Sequence, residues 1–128
     1  MNHLVKKPSR IHGTGIFTER QISDRETFYE IPLSKVFNKP LPRCARIATN
    51  LWVSDEEVLN YVNHSCNPNS ELSTLIDASS TPCLFSLRPI LAGEEITVDY
   101  NRTEGPDAIR IKCECQSENC RGYLLRRE

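Results

Sequence analysis

KCECQSENCRGYL, residues 112–124, sets Cys113, Cys115 and Cys120 at spacings suited to a single metal ion and leaves that ion one donor short. A closed structural zinc site takes four protein ligands in a tetrahedron, so three thiolates near the end of the chain require a Cys or His from much earlier. The segment is therefore a clasp on an upstream part of the fold. Cys66, within Asn63-His64-Ser65-Cys66-Asn67-Pro68-Asn69, is the favoured fourth ligand, because the Asn, Ser and Pro residues around it spell a tight turn that can aim a thiol outward. His64, Cys44, Cys83, His12 and His3 are its rivals. A His two residues before Cys66 would compete with it for the same vacancy, which leaves His64 for another role. The six cysteines could instead form disulfides. MNHLVKKPSR, residues 1–10, holds no apolar stretch to serve as a signal peptide toward an oxidising compartment, so zinc is preferred. Cys44 and Cys83 then read as reduced thiols, with Cys83 buried in a strand.

Outward from the clasp, size and charge bound the remainder. A chain of 128 residues makes one domain that buries about two-thirds of its unfolded surface, so the metal is local bracing and not the sole source of stability. Charged residues make up 26% of the chain and balance to a net charge of −1, which provides no general attraction to nucleic acid or to acidic membranes. The basic pieces Lys6 to Arg10 and Arg126-Arg127 read as solvated. A nucleic-acid-binding zinc ribbon would want a second paired knuckle and a basic face, and the sequence has neither. No segment approaches the apolar length of a membrane span, and neither repeats nor low-complexity tracts occur. The expectation is a soluble intracellular protein, cytoplasmic, or nuclear if the source is eukaryotic.

Local patterns predict a β-rich fold. IHGTGIFTER, ETFYEI, ELSTLI, PCLFSLRPI and EEITVDY carry β-branched or aromatic residues in brief runs bounded by Pro, Gly, Asp or Ser. One helix is signalled: Ser54 caps its start, Glu57 returns the bond, and Val58, Tyr61 and Val62 line one face. Residues 35–50, with Pro40, Pro42 and Arg43-Cys44-Ala45-Arg46, show no period and read as loop or weak helix. Strands without regular helical crossovers argue against a doubly wound sheet.

Four segments carry chemistry. Gly13-Thr14-Gly15 after His12 lets backbone approach a ligand closely, since glycine lacks a Cβ, although in isolation a plain β-turn is the better account of it. Residues 63–69 are denser in donors and acceptors than a connector requires, and suit a small polar ligand. Gly93-Glu94-Glu95-Ile96-Thr97-Val98-Asp99-Tyr100 is a turn followed by an alternating strand that ends on a phenol, which in itself is compatible with a half-buried core residue. The fourth is the cysteine tail, followed by Arg121-Gly122-Tyr123.

The conjunction of these segments in this order resembles the SET-domain protein methyltransferases with a post-SET zinc segment, and the resemblance spans roughly residues 5–125. It implies a mainly β (α+β) fold of several small curved sheets around a knot-like core in which the segment after NHSC is threaded through a loop near the catalytic tyrosine. One or two short helices and a C-terminal zinc site complete it. A SET domain would occupy residues 1–108 and the post-SET segment residues 109–128, as one compact unit. S-adenosylmethionine would lie bent on one face, with a substrate lysine entering by a channel from the other. His12, Gly13, Thr14 and Gly15 would meet the methionyl part of the cofactor through backbone, Asn63 and His64 its amino group and adenine, and Tyr123 would stack on adenine. Tyr100 would be the catalytic tyrosine, and Cys66, Cys113, Cys115 and Cys120 would hold one Zn²⁺.

The implied partner is a protein presenting a lysine, histone-like or otherwise basic. Two departures bear on the lysine channel. Where the family often has a glycine turn and then Glu-Tyr-x-Gly-Glu, this chain has Ser23-Asp24-Arg25-Glu26 and Tyr29-Glu30-Ile31-Pro32-Leu33, and Asn60 stands where an Arg is common. Tyr29 or Tyr61 could compensate, with Tyr61 the better candidate for the core. A lysine methyltransferase and a catalytically silent SET module that binds a protein both remain open readings.

Overall fold

The structure, a computed structural model, describes residues 3–39, 44–48, 50–73, 82–100, 109–115 and 117–126. The later part of ELSTLI, together with Pro40, Pro42, Arg43 and Arg127, lies outside them. Strands of two to five residues assemble into five small sheets, so the β-rich expectation holds. β1 (Leu4–Pro8) and β2 (Thr14–Thr18) form an antiparallel hairpin, with Leu4 opposite Thr18 and Pro8 opposite Thr14. Its turn closes because Gly13 adopts φ +44° and the Ser9 amide donates to the Gly13 carbonyl at 2.7 Å. A residue with a Cβ rarely adopts that backbone. The other edge of β2 is covered by residues 93–96: the Ile96 amide donates to the Ile16 carbonyl at 2.7 Å and the Thr18 amide to the Glu94 carbonyl at 3.1 Å.

β3 (Thr27–Glu30), β8 (Ser70–Ser73) and β9 (Cys83–Ser86) form an antiparallel sheet with β9 in the middle. Arg25, in the turn before β3, has φ +60° at a position where glycine would be unstrained; the left-handed backbone costs roughly 1–2 kcal/mol. β4 (Val36–Phe37), β5 (Ala45–Ala48) and β6 (Leu51–Val53) make a second three-stranded sheet around β6. The loop or weak helix expected over residues 35–50 is thus corrected. Pieces of two to four residues are too short to display a period, and Leu51-Trp52-Val53 recruits partners on both sides.

The predicted helix is also corrected. Among the described residues the chain makes a single 3₁₀ turn, Leu59–Tyr61, with Val58 at its N-cap, and the side chain that holds amides there is that of Asp55, not Ser54. The Asp55 carboxylate accepts the amides of Glu57 at 3.2 Å and Leu59 at 3.0 Å, while Ser54 Oγ accepts from Asn60 Nδ2 at 3.1 Å. Local capture of amides by a short carboxylate competes with helix propagation, and strand pairing resumes at Asn63 before a second turn can form.

β7 (Asn63–His64) and β10 (Thr97–Val98) pair in parallel, Asn63 beside Thr97 and His64 beside Val98. The buried Asn69 locks the pair. Its Nδ2 donates to the Glu95 carbonyl at 2.8 Å, and its Oδ1 accepts the Thr97 amide at 3.0 Å. β11 (Ile109–Lys112) and β12 (Tyr123–Arg126) form an antiparallel hairpin whose connection holds the three late cysteines. Ile16, Ile22, Val53, Leu84, Ile90 and Ile96 are at most 1% exposed and centre the core, each stabilising by about 1.5–3 kcal/mol on burial. Tyr61 packs half-buried on this core, and Cys83 is half-buried in β9, less enclosed than expected. Among the described residues no helix is long and apolar enough to cross a membrane.

Candidate functional site

Three groups of side chains converge on the β7–β10 pair. The first joins the hairpin turn to Asn63. Asn63 Nδ2 donates to the His12 carbonyl at 3.0 Å, to Ser9 Oγ at 3.1 Å and to Glu95 Oε2 at 2.9 Å, and Ser9 Oγ donates to the Glu95 carboxylate at 2.8 Å. Gly15 is packed beneath that carboxylate. A Cβ there would fall inside van der Waals contact with the Glu95 carboxyl group and 3.1 Å from Ser9 Cβ. The second glycine of the turn is thus needed for close packing, whereas the first is needed for its positive φ. His12, Gly13 and Thr14 are exposed, so the turn offers backbone at the surface directly above Asn63.

The second group is built on His64 and Tyr100. The His64 side chain is 1% exposed, and its Nδ1 accepts the Tyr100 amide at 2.9 Å. The two rings lie 5.4 Å apart at 60°. Burial pushes the imidazole pKa down, partly opposed by Asp99, so His64 is neutral at physiological pH. Tyr100 Oη donates to the Val62 carbonyl at 2.6 Å, which fixes the phenol. Asp99 is held by Arg121, whose Nη2 approaches Oδ1 to 2.7 Å. A residue of the cysteine tail therefore reaches back to the segment after β10 that carries Tyr100.

The third group is the thiol cluster. The sulfurs of Cys66, Cys113, Cys115 and Cys120 all lie within 4.8 Å of one another, and Cys66 and Cys113 are 3.9 Å apart. With Zn–S bonds of about 2.3 Å, the edge of a tetrahedron is roughly 3.8 Å, so the donor set and its spacing fit zinc. Backbone amides surround the sulfurs: those of Arg121 and Gly122 donate to Cys66 and Cys120, each at 3.3 Å. Burial pushes the Cys113 thiol up. Burial acts against ionisation of Cys115 as well, yet the Ser117 hydroxyl and the Cys66 amide outweigh it and bring that thiol down to about 6. Of the rival ligands, His64 Nε2 lies 3.4 Å from Cys66 Sγ and touches the cluster only through that atom; His3, His12, Cys44 and Cys83 are not in it. Tyr100 packs against the Cys66–Cys113 pair, so this group adjoins the second. Tyr123 is half-buried in β12 opposite Lys112.

Ser9, Glu95, Asp99 and Arg121 were not singled out from sequence. Glu95 and Asp99 lie inside a segment read for its strand and terminal phenol, and nothing local distinguishes a cleft carboxylate from a solvated one. Of the two residues considered for the channel, Tyr29 has its hydroxyl bound to Asp55 Oδ2 at 2.6 Å, and Tyr61 has Lys6 Nζ 4.4 Å above its ring.

Comparison with known proteins bears on these groups. The family described as SET domain matches residues 13–101, a span that includes the turn, Asn63, His64 and Tyr100. The chain is 44% identical over 66 residues to the histone-lysine N-methyltransferase ASHR3 of Arabidopsis thaliana, covering 50% of this chain and 13% of that protein. It is 41% identical over 73 residues to the histone-lysine N-methyltransferase Set2 of Drosophila melanogaster, covering 56% and 3%. With the histone-lysine N-methyltransferase, H3 lysine-4 specific, of Schizosaccharomyces pombe it shares 30% identity over 135 residues, covering 91% of this chain and 14% of the relative. The chain spans a small part of the length of each of these proteins.

Proposed function

The chain belongs to the SET-domain family, and on that premise we propose that it is an S-adenosylmethionine-dependent protein-lysine N-methyltransferase. A SET domain over residues 1–108 and a zinc-binding segment over residues 109–128 form the unit. The observation that carries this reading is the parallel pairing of β7 with β10, which brings Asn63, bonded to the His12 carbonyl of the glycine turn, next to His64, whose ring holds the Tyr100 amide. Bound S-adenosylmethionine supplies a methyl group on a positively charged sulfur.

The chain's own residues do the remaining work. The backbone of His12 to Gly15, exposed as far as Thr14, and the amide side chain of Asn63 would bind the methionyl end, His64 would contribute its main chain to adenine, and Tyr123 would cover the ring. The His64 imidazole is buried and already engaged at both nitrogens, so the ring itself is not assigned to the adenine contact. Tyr100 Oη, its proton directed to the Val62 carbonyl, accepts from the substrate amine and orients it. In-line transfer needs alignment above all, and reactants held near attack distance gain many orders of magnitude in rate. The lysine must lose its proton first, from a pKa of about 10.4, and a dry channel favours the neutral amine. Zinc held by Cys66, Cys113, Cys115 and Cys120 ties the tail over the cofactor. The substrate is a protein, histone-like or otherwise basic, which places the activity in the cytoplasm, or in the nucleus of a eukaryotic cell.

A second reading, a silent SET module that binds a protein, draws support from the channel side, where the Tyr29 hydroxyl is committed to Asp55. Calorimetry of the zinc-loaded protein separates the two: uptake of S-adenosylmethionine supports the enzyme, and its failure leaves only the module. With uptake established, Tyr100→Phe should lower labelled-methyl transfer to lysine-bearing proteins on the order of a hundredfold, with cofactor affinity nearly unchanged. Equal rates would remove Tyr100 from the reaction.

A further inference from the structure

The His64 imidazole lies between the thiol cluster and Tyr100. Nδ1 accepts the Tyr100 backbone N–H at 2.9 Å, so that nitrogen carries no proton, and a neutral ring must carry it on Nε2. Nε2 faces Cys66 Sγ at 3.4 Å. The tautomer set by Tyr100 therefore makes His64 a donor to a cluster sulfur. Asp99 does not compete for Nδ1: it stands 3.6 Å away and accepts Arg121 at 2.7 Å. At 1% exposure the ring is shielded from water that could replace either bond.

We infer that His64 is a positioning residue whose side chain couples the four-cysteine site to Tyr100, its Nε2–H donated to Cys66 Sγ while Nδ1 holds the Tyr100 amide. This rests on the reading of the cluster as a metal site and of Tyr100 as the reacting tyrosine. An N–H donated to a ligating thiolate disperses its charge and orients the sulfur, as donors behind metal ligands do generally. Cys66 sits only two residues from His64, so the imidazole closes a short loop that carries the state of the metal site to Tyr100. Metal occupancy and the placement of Tyr100 are then linked through one ring as well as through the direct packing of Tyr100 on Cys66 and Cys113.

The test uses the full chain loaded with ¹¹³Cd and no cofactor, observed by NMR. The ring should be the Nε2–H tautomer, and that proton should couple to cadmium through Cys66 Sγ. Two variants divide the functions. In His64→Asn the amide oxygen falls near the place of Nδ1, keeping an acceptor for Tyr100; in His64→Gln the amide nitrogen falls near Nε2, keeping the donor to sulfur. His64→Asn should lose metal to EDTA roughly tenfold faster while the Tyr100 amide stays protected from hydrogen exchange. His64→Gln should retain metal and lose that protection. Equal effects of the two variants on both readouts, an Nδ1–H tautomer, or absent coupling in the cadmium-loaded protein would overturn this inference alone. Protein that takes up no cadmium overturns it together with the metal reading, and loss of methyl transfer with both NMR signatures intact overturns only the catalytic one. If neither variant folds, the tautomer and coupling in the unaltered chain still decide.

Discussion

Tyr29 and Asp55 show how a single hydroxyl can hold two parts of this fold together. Burial, followed by the bond to Asp55 Oδ2, raises the Tyr29 pKa above its ordinary value near 10. A group whose pKa is raised by folding contributes stability below its unfolded pKa and loses it as pH climbs past that value. Tyr29→Phe should therefore cost about 1 kcal/mol in urea unfolding at neutral pH, and the part of the stability decline above about pH 10 that belongs to Tyr29 should vanish from the variant. Asp55 itself was not legible as the side chain that holds the Glu57 and Leu59 amides. Ser54 and Glu57 have the spacing of a reciprocal cap, and only the placement of Tyr29, 26 residues away, reveals which neighbour holds the amides. Gly13 and Gly15 were legible as a pair needing close backbone approach, though not their separate reasons, since the carboxylate over Gly15 comes from Glu95.

At the scale of elements, the β11–β12 hairpin has its own ladder, while its connection bonds back to Cys66 and Asp99. Removal of metal by a chelator should weaken S-adenosylmethionine binding and open residues 113–123 to proteolysis while the thermal transition of the other sheets persists. Calorimetry and a timed digest check this, and simultaneous loss of all structure would refute it. The odd number of tail cysteines made the upstream tie readable, because a tetrahedral ion cannot be satisfied by three donors. The strands at Val36–Phe37, Ala45–Ala48 and Leu51–Val53 were not readable, since each becomes a strand only when its partners arrive.

For the whole molecule, the core is a set of isoleucines, leucines and valines contributed by nearly every sheet, so its disruption should be felt globally. Ile96, the residue between Glu95 and Thr97, is fully buried in the core, and Ile96→Ala should destabilise the protein by about 2–5 kcal/mol in denaturant melts. Against a total of roughly 5–15 kcal/mol that is a large share. The overall architecture was legible from the order of four motifs more than from any strand pattern, because ligand-approach and metal-spacing requirements restrict sequence more tightly than short strands do. The parallel meeting of β7 with β10 has a temporal side. His64 and Tyr100 stand 36 residues apart, and all of β8 and β9 intervenes. A nascent polypeptide emerging from the ribosome cannot close this ladder until the residues through Val98 are out, so the β7–β10 pair should be the slowest region to mature and the one a chaperone shelters longest.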